Sequence, residues 1–362
     1  MLELARDLLP LLDRGETVAV VTVSRVARSA PRGAGAAMAV TASGRVIGSI
    51  SGGCVEGDAV LLATHALATG VGATAAFGFT DAQAHAAGLA CGGSVEVVVS
   101  VVSPRSLAHA TLAHAAVRGR ARIAIVATGT EAGRIVPVPE RQERQERQER
   151  QERQESPEGA LMLPAAYAGE DLLVVSSAPA PWLIVIGAGE HAAALCRVGS
   201  AVGFRVTVCD PWARLVTPER FPAAAELVED YPDRWLGGIP VDELDARTAV
   251  CVLTHDERLD VPALRVALGL PVGFVGAMGA RSTVARRAAL LRQSGVTDEA
   301  LARLHSPVGL DLGGSSPEET ALSVLAEIVG ARHGGTGLAL RDLSGRIHPA
   351  RTDAACVLAR TP

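Results

Sequence analysis

A chain of 362 residues exceeds the size at which one hydrophobic core stops growing, and a 48% hydrophobic content is enough to fill two, so the sequence predicts two domains. Aromatic residues make up only 3%, which leaves Val, Leu, Ile and Ala to build those cores. With 34 basic against 39 acidic side chains there is no cationic surplus of the kind that binds nucleic acid or an anionic membrane.

The first 13 residues mix Glu3, Arg6 and Asp7 with leucines at helical spacing, which predicts an amphipathic helix rather than a signal peptide. The longest apolar runs, such as 95–102, are strand-length and far short of the roughly 20 residues a spanning helix requires. Six cysteines fall at wide spacings with no C-x-x-C pair, which argues against a zinc or disulfide framework and fits a reducing cytoplasm.

A strand is predicted over 18–23, then a turn-rich stretch over 29–35 broken by Pro31, Gly33 and Gly35. Strands over 37–41 and 46–50 lead to Ser51-Gly52-Gly53-Cys54, which runs into a helix over 55–68. Cys91-Gly92-Gly93 precedes a strand over 94–102. Residues 140–155 are five Glu-Arg-Gln triplets and a final Glu, with no apolar face to dock on a core. This reads as a solvated insert between strands at 123–127 and 172–175 of a first domain spanning 1–178. A second domain spans 181–335, where strands alternate with helices, and 336–362 reads as a tail.

The second domain opens with a buried strand that runs into Gly187-Ala-Gly189 and a helix start, with Ala192 at the third small position. Gly187 permits the tight turn, Gly189 leaves room for a pyrophosphate, and the helix amides and dipole favour its charge. A second strand, 205–209, ends in Asp210, at the spacing of an acid that binds a ribose hydroxyl. These features predict a Rossmann fold. NAD(P) binding is a separate matter, because fold does not fix ligand.

Later strand ends bring His255 and Asp256, readable as an acid–base pair or metal ligands, or as a helix cap with its neighbour. Arg281 stands at a helix start, where it either meets a phosphate or is a surface charge. Ser316-Pro317-Glu318-Glu319 carries the signature of a capping box and is explained without a ligand.

In the first domain, Gly52-Gly53-Cys54 lies where free amides and a helix N-terminus would lower the Cys54 thiol pKa. Such a loop can grip a pterin phosphate, ligate a soft metal, or carry sulfur. Glu56 either hydrogen-bonds a heterocycle or complements the helix dipole. Cys91 is a second glycine-flanked thiol, and each cysteine is alternatively an inert small side chain. Cys196, Cys209 and Cys251 fall within Rossmann helix or strand patterns and read as core.

Residues 24–33, with Pro31-Arg32-Gly33, and residues 48–56, with Gly52-Gly53-Cys54-Val55-Glu56, closely resemble the opening motifs of the XdhC/CoxI family. Gly88-Leu89-Ala90-Cys91-Gly92-Gly93 and the segments 254–260, 274–279 and 306–313 continue the resemblance. It implies an α/β protein, an N-terminal α/β domain followed by a Rossmann-type doubly wound parallel sheet. It also implies an accessory factor that binds the molybdenum cofactor, protects it during sulfuration and inserts it into a molybdenum hydroxylase of the xanthine dehydrogenase or carbon monoxide dehydrogenase type. The implied partners are the apo-hydroxylase and a cysteine desulfurase, with the chain as a homodimer. By the same resemblance Cys54 contacts the cofactor or its sulfur, and Gly52, Gly53 and Glu56 shape the site. The chain departs from the pattern at Gly279-Ala280-Arg281-Ser282-Thr283, where the family reads Gly-Ser-Arg-Arg-Thr, and at Glu190-His191, where a single His after the second glycine is common. An acid at position 190 is expected to repel a phosphate. Two other readings stand beside this one. The first is an NAD(P)-dependent oxidoreductase using Gly187, Gly189, Asp210 and His255. The second is a thiol protein for sulfur relay or redox sensing.

Overall fold

The computed structural model describes residues 1–27, 32–53, 55–78, 94–139 and 159–344. Cys54, Cys91, the triplet repeat and the end of the tail, 345–362, lie outside the described residues. The chain divides into two compact units, Met1–Pro179 and Ala180–Pro362.

The first unit runs α1 (Ala5–Asp13), β1 (Val18–Ala27), β2 (Ala37–Thr41), β3 (Val46–Gly48), α2 (Glu56–Thr69), β4 (Ala73–Gly78), β5 (Ser94–Val102) and α3 (Leu107–Arg118). Its five strands form an antiparallel sheet in the order β3-β2-β1-β5-β4. The period-2 alternation of side chains assigns its two faces. Val18 and Val20 of β1, with Ala37 and Ala39 of β2, pack with Leu8, Leu11 and Leu12 of α1 and Leu112 of α3. Ala19, Val21 and Val23, with Met38 and Val40, pack on the opposite face against Ala59, Ala63 and Ala66 of α2.

A second antiparallel sheet in this unit has the order β7-β6-β9-β8, from β6 (Ala121–Val126), β7 (Ile135–Val136), β8 (Gly159–Tyr167) and β9 (Glu170–Ser177). Ile123 and Ile125 join Leu173 and Val175 in the α1/α3 core. The strand predicted over 46–50 is shorter than expected. Gly48, at φ +78, ends β3, and the next residues turn toward α2.

The second unit contains β10 (Trp182–Ile186), α4 (Glu190–Ala201), β11 (Arg205–Cys209), β12 (Glu226–Val228), α5 (Pro232–Gly238), β13 (Ala249–Val252), α6 (Glu257–Gly269), β14 (Phe274–Ala277), α7 (Arg281–Gln293), α8 (Asp298–Leu301), β15 (Leu304–His305) and α9 (Pro317–His333). All six strands are parallel, in the order β12-β11-β10-β13-β14-β15. Residues of α4 and α9 cover one face and those of α5, α6 and α7 the other. The unit is therefore the doubly wound Rossmann sheet that the sequence predicts. Its strand order reverses between β10 and β13, the place where open parallel sheets leave a crevice for ligands. The capping box at Ser316 and Glu319 is present at the start of α9.

Candidate functional site

The loop between β3 and α2 is organised around one carboxylate. Glu56 Oε1 accepts the N–H groups of Ile50, Ser51 and Gly52 at 3.3, 2.9 and 3.0 Å and the Ser49 hydroxyl at 2.7 Å. Glu56 Oε2 accepts the N–H groups of Gly53 and Val55 at 2.8 and 3.2 Å and the Ser51 hydroxyl at 2.6 Å. Gly52 and Gly53 supply the backbone that makes this convergence possible, at φ +86 and +129, where a β-carbon is disfavoured. Partial burial raises the Glu56 pKa, but the Ser51 and Ser49 hydroxyls and the loop amides outweigh it and hold the carboxyl well below the usual range.

This corrects two expectations. The amides at Gly52 and Gly53 are not free for a phosphate, because Glu56 takes them. Glu56 itself has both oxygens saturated by internal donors, so it shapes the loop rather than bonding a heterocycle. Arg32 is tied to the same place. Arg32 donates to the Ser49 carbonyl at 2.9 Å and to Glu3 at 2.6 Å, and Glu3 also accepts the Ala37 N–H.

In the second unit the Gly187–Gly189 turn closes over the carboxyl end of β10. Gly187 (φ +105) lies so near Thr254 that a β-carbon would sit 3.0 Å from its Cγ2, while one at Gly189 would meet nothing within 4 Å. The first turn of α4 has no side-chain cap, and Ala192 is buried behind it, the close packing expected of the third small residue. Asp210 is 5% exposed, and its carboxylate accepts the Ala188 N–H at 3.0 Å and the Trp212 N–H at 2.9 Å. The acid thus braces the glycine turn. Glu190 pairs with Arg220 at 3.3 Å, so the charge expected to repel a phosphate is matched by a cation.

At the neighbouring strand ends, Asp256 is the N-cap of α6, accepting the Arg258 N–H, and it also pairs with the Arg258 guanidinium at 2.7 Å. The capping alternative accounts for this carboxylate, and the acid–base pair with His255 is not assembled. His255 is exposed and left-handed, at φ +64. The buried carboxylate here is Asp260. Thr254 donates to it, and Arg287 approaches it at 3.5 Å while donating to the Met278 carbonyl at 2.7 Å and Ser306 at 2.8 Å. Burial raises the Asp260 pKa, with the Thr254 bond and the Arg287 charge pulling the other way. Arg281 is exposed, as a surface charge would be. Sequence reasoning missed Arg287, whose only signal is an arginine in a helix that otherwise turns its charges outward.

Cys196, Cys209 and Cys251 are buried, and burial pushes their thiols up to about 11, 12 and 12. They are core residues, as expected. Among the described residues no group of three or more His, Cys, Asp or Glu side chains is placed to hold a metal ion, and no helix is long and apolar enough to cross a membrane.

Residues 11–78 match the model of the XdhC and CoxI family, and residues 183–328 match that of the XdhC Rossmann domain. An Escherichia coli K12 protein called uncharacterized protein YqeB is 34% identical over 159 residues, 43% of this chain, but the chain spans only 28% of that relative's length. A Bacillus subtilis protein named as a probable subunit of xanthine dehydrogenase is 28% identical over 89% of this chain and 95% of its own. The molybdenum cofactor insertion chaperone PaoD of Escherichia coli K12 is 25% identical over 88% of this chain and 84% of its own. A crystal structure described as a xanthine dehydrogenase from Bacillus halodurans has the same fold, with a TM-score of 0.67 at 22% identity over 90% of this chain and 95% of that one.

Proposed function

Because this chain belongs to the XdhC and CoxI family, we propose that it is an accessory factor that binds the molybdenum cofactor and delivers it to a molybdenum hydroxylase apo-enzyme. The observation that carries the reading is the similarity, along 88% of the chain, to a protein named as a molybdenum cofactor insertion chaperone. In this reading Cys54 contacts the cofactor or its sulfur, and Glu56 fixes the loop on either side of it through Gly53 and Val55. Gly187, Gly189 and Asp210 hold the nucleotide part of a dinucleotide-form cofactor. The fit of that second site rests on the uncapped first turn of α4 and the open space at Gly189. The cofactor would supply the redox metal; this chain's residues would bind it and release it to the partner.

Protection of the cofactor during sulfuration by a cysteine desulfurase, action as a homodimer and a cytoplasmic setting belong to the same proposal, as does Cys91 as a second thiol of the site. The oxidoreductase alternative draws less support, since the Asp256 carboxylate beside His255 is committed to capping α6 and to the Arg258 guanidinium.

The test is retention of released molybdenum cofactor after gel filtration, with wild type and Cys54→Ser compared. Stoichiometric molybdenum and pterin on the wild type, lost in the variant, is the expected result. An apo-hydroxylase that becomes equally active with and without the protein would sink the reading.

A further inference from the structure

Of the three tryptophans, two are explained by packing. Trp182 is buried, donates its indole N–H to Thr207 at 2.9 Å and meets Trp235 edge-on at 6.3 Å between ring centroids. Trp212 is 66% exposed although it stands three residues beyond the strand β11 and two beyond the buried Asp210. Tyr231, 60% exposed, follows the neighbouring strand β12 in the same way. Both residues are held by backbone. The Trp212 N–H donates to Asp210, its carbonyl accepts the Leu215 N–H at 2.8 Å, and the Tyr231 N–H donates to Asp230 at 2.7 Å. The two turns are joined, because Asp210 N–H donates to the Val228 carbonyl at 3.1 Å and Cys209 Sγ to the Asp230 carbonyl at 3.6 Å.

The carboxyl edge of the sheet therefore presents, strand by strand, three kinds of group. Uncapped α4 amides follow β10, the Asp210 carboxylate follows β11, and aromatic residues lie just beyond β11 and β12. Neighbouring strands lie about 4.8 Å apart, so the end of β11, before Trp212, stands about 5 Å and the end of β12, before Tyr231, about 10 Å from the end of β10. That is the order of phosphate, ribose and base in a nucleoside diphosphate. Aromatic rings exposed on rigid turns are stacking platforms for heterocycles.

We propose that Trp212, bordered by Tyr231, forms a nucleobase subsite at the carboxyl edge of β11 and β12, and that the second unit takes a nucleoside diphosphate moiety with its ribose at Asp210 and its phosphates on α4. This deepens the cofactor reading above, and it rests on the Rossmann crevice being the nucleotide end of that site.

The test uses the full chain titrated with CDP, GDP, ADP and, as a base-less control, inorganic pyrophosphate, followed by calorimetry and tryptophan fluorescence. A nucleoside diphosphate is expected to bind more tightly than pyrophosphate and to quench the exposed tryptophan. Trp212→Ala should weaken that nucleotide by about tenfold to a hundredfold and leave pyrophosphate unchanged, while Trp212→Phe keeps most of the affinity. Equal affinity for pyrophosphate and the nucleotides, or nucleotide binding indifferent to Trp212→Ala, overturns the proposal. So does an absence of nucleotide binding with Trp212→Ala impairing capture of the hydroxylase, which would make the rings a protein-docking anchor. A wild type that retains molybdenum cofactor yet binds no nucleoside diphosphate refutes the base subsite alone. One that binds nucleoside diphosphates yet retains no cofactor refutes the cofactor reading alone.

Discussion

Glu56→Gln keeps the length and shape of the side chain and replaces one acceptor oxygen with an NH2 donor. With the amide nitrogen at the Oε2 position, it would face the Gly53 and Val55 N–H groups and the Ser51 hydroxyl, which donate there at 2.8, 3.2 and 2.6 Å. The hydroxyl can rotate to accept, and Val55 N–H keeps its second contact with Ser51 Oγ at 3.3 Å. Gly53 is exposed, so its N–H exchanges the carboxylate for water, at about 1 kcal/mol. The bonds left on the carbonyl oxygen fall from charge-assisted to neutral strength. The sum is about 2 kcal/mol of local stability, or about thirtyfold in the opening equilibrium.

Native-state hydrogen exchange at pH 7, read on peptides covering residues 49–56, measures that opening. The loop amides should lose protection by this factor while α9 is unchanged. Folding lowers the Glu56 pKa, so its contribution is complete above the ordinary glutamate value of 4.5 and is lost as pH falls below it toward the folded-state pKa. Loop protection in the wild type should therefore decline below about pH 4.5, and in the variant it should show no such step. Equal protection in the two proteins at pH 7 would refute the idea that this carboxylate organises the loop.

Three further outcomes follow from the geometry. Asp260→Ala leaves the buried Arg287 guanidinium without its carboxylate and should cost about 3 kcal/mol in urea unfolding. Asp260→Asn, a neutral group where burial already disfavours the charge, should cost about 1 kcal/mol; equal losses would discount the ion pair. Gly187→Ala puts a β-carbon 3.0 Å from Thr254 Cγ2 at φ +105 and should destabilise the second unit by about 1–3 kcal/mol. A thermal melt unchanged from wild type would refute the close approach. At pH 8 the native protein should label at no more than three of its six cysteines with a thiol reagent, sparing Cys196, Cys209 and Cys251. Mass-spectrometric detection of adducts on those three would contradict their burial.

The Rossmann half was legible because its signals are local. An unbroken apolar strand, two glycines, a small residue one turn into the helix and an acid ending the next strand all lie within residues 182–210. The small-residue strand β4 and the strand β8 after the triplet repeat were not anticipated, since Ala-rich and short apolar runs carry little periodicity. Sequence placed Glu56 in the first turn of a helix but not the direction of its carboxylate. That depends on two left-handed glycines folding five amides onto one point. Likewise Thr254, Asp260, Arg287 and Ser306 meet because parallel strands bring their ends to one edge, and the exposure of Trp212 beside a buried Asp210 exists only once β11 and β12 are paired. Local chain chemistry determined which elements form. Long-range strand pairing decided which side chains face one another and which carboxylates were already taken.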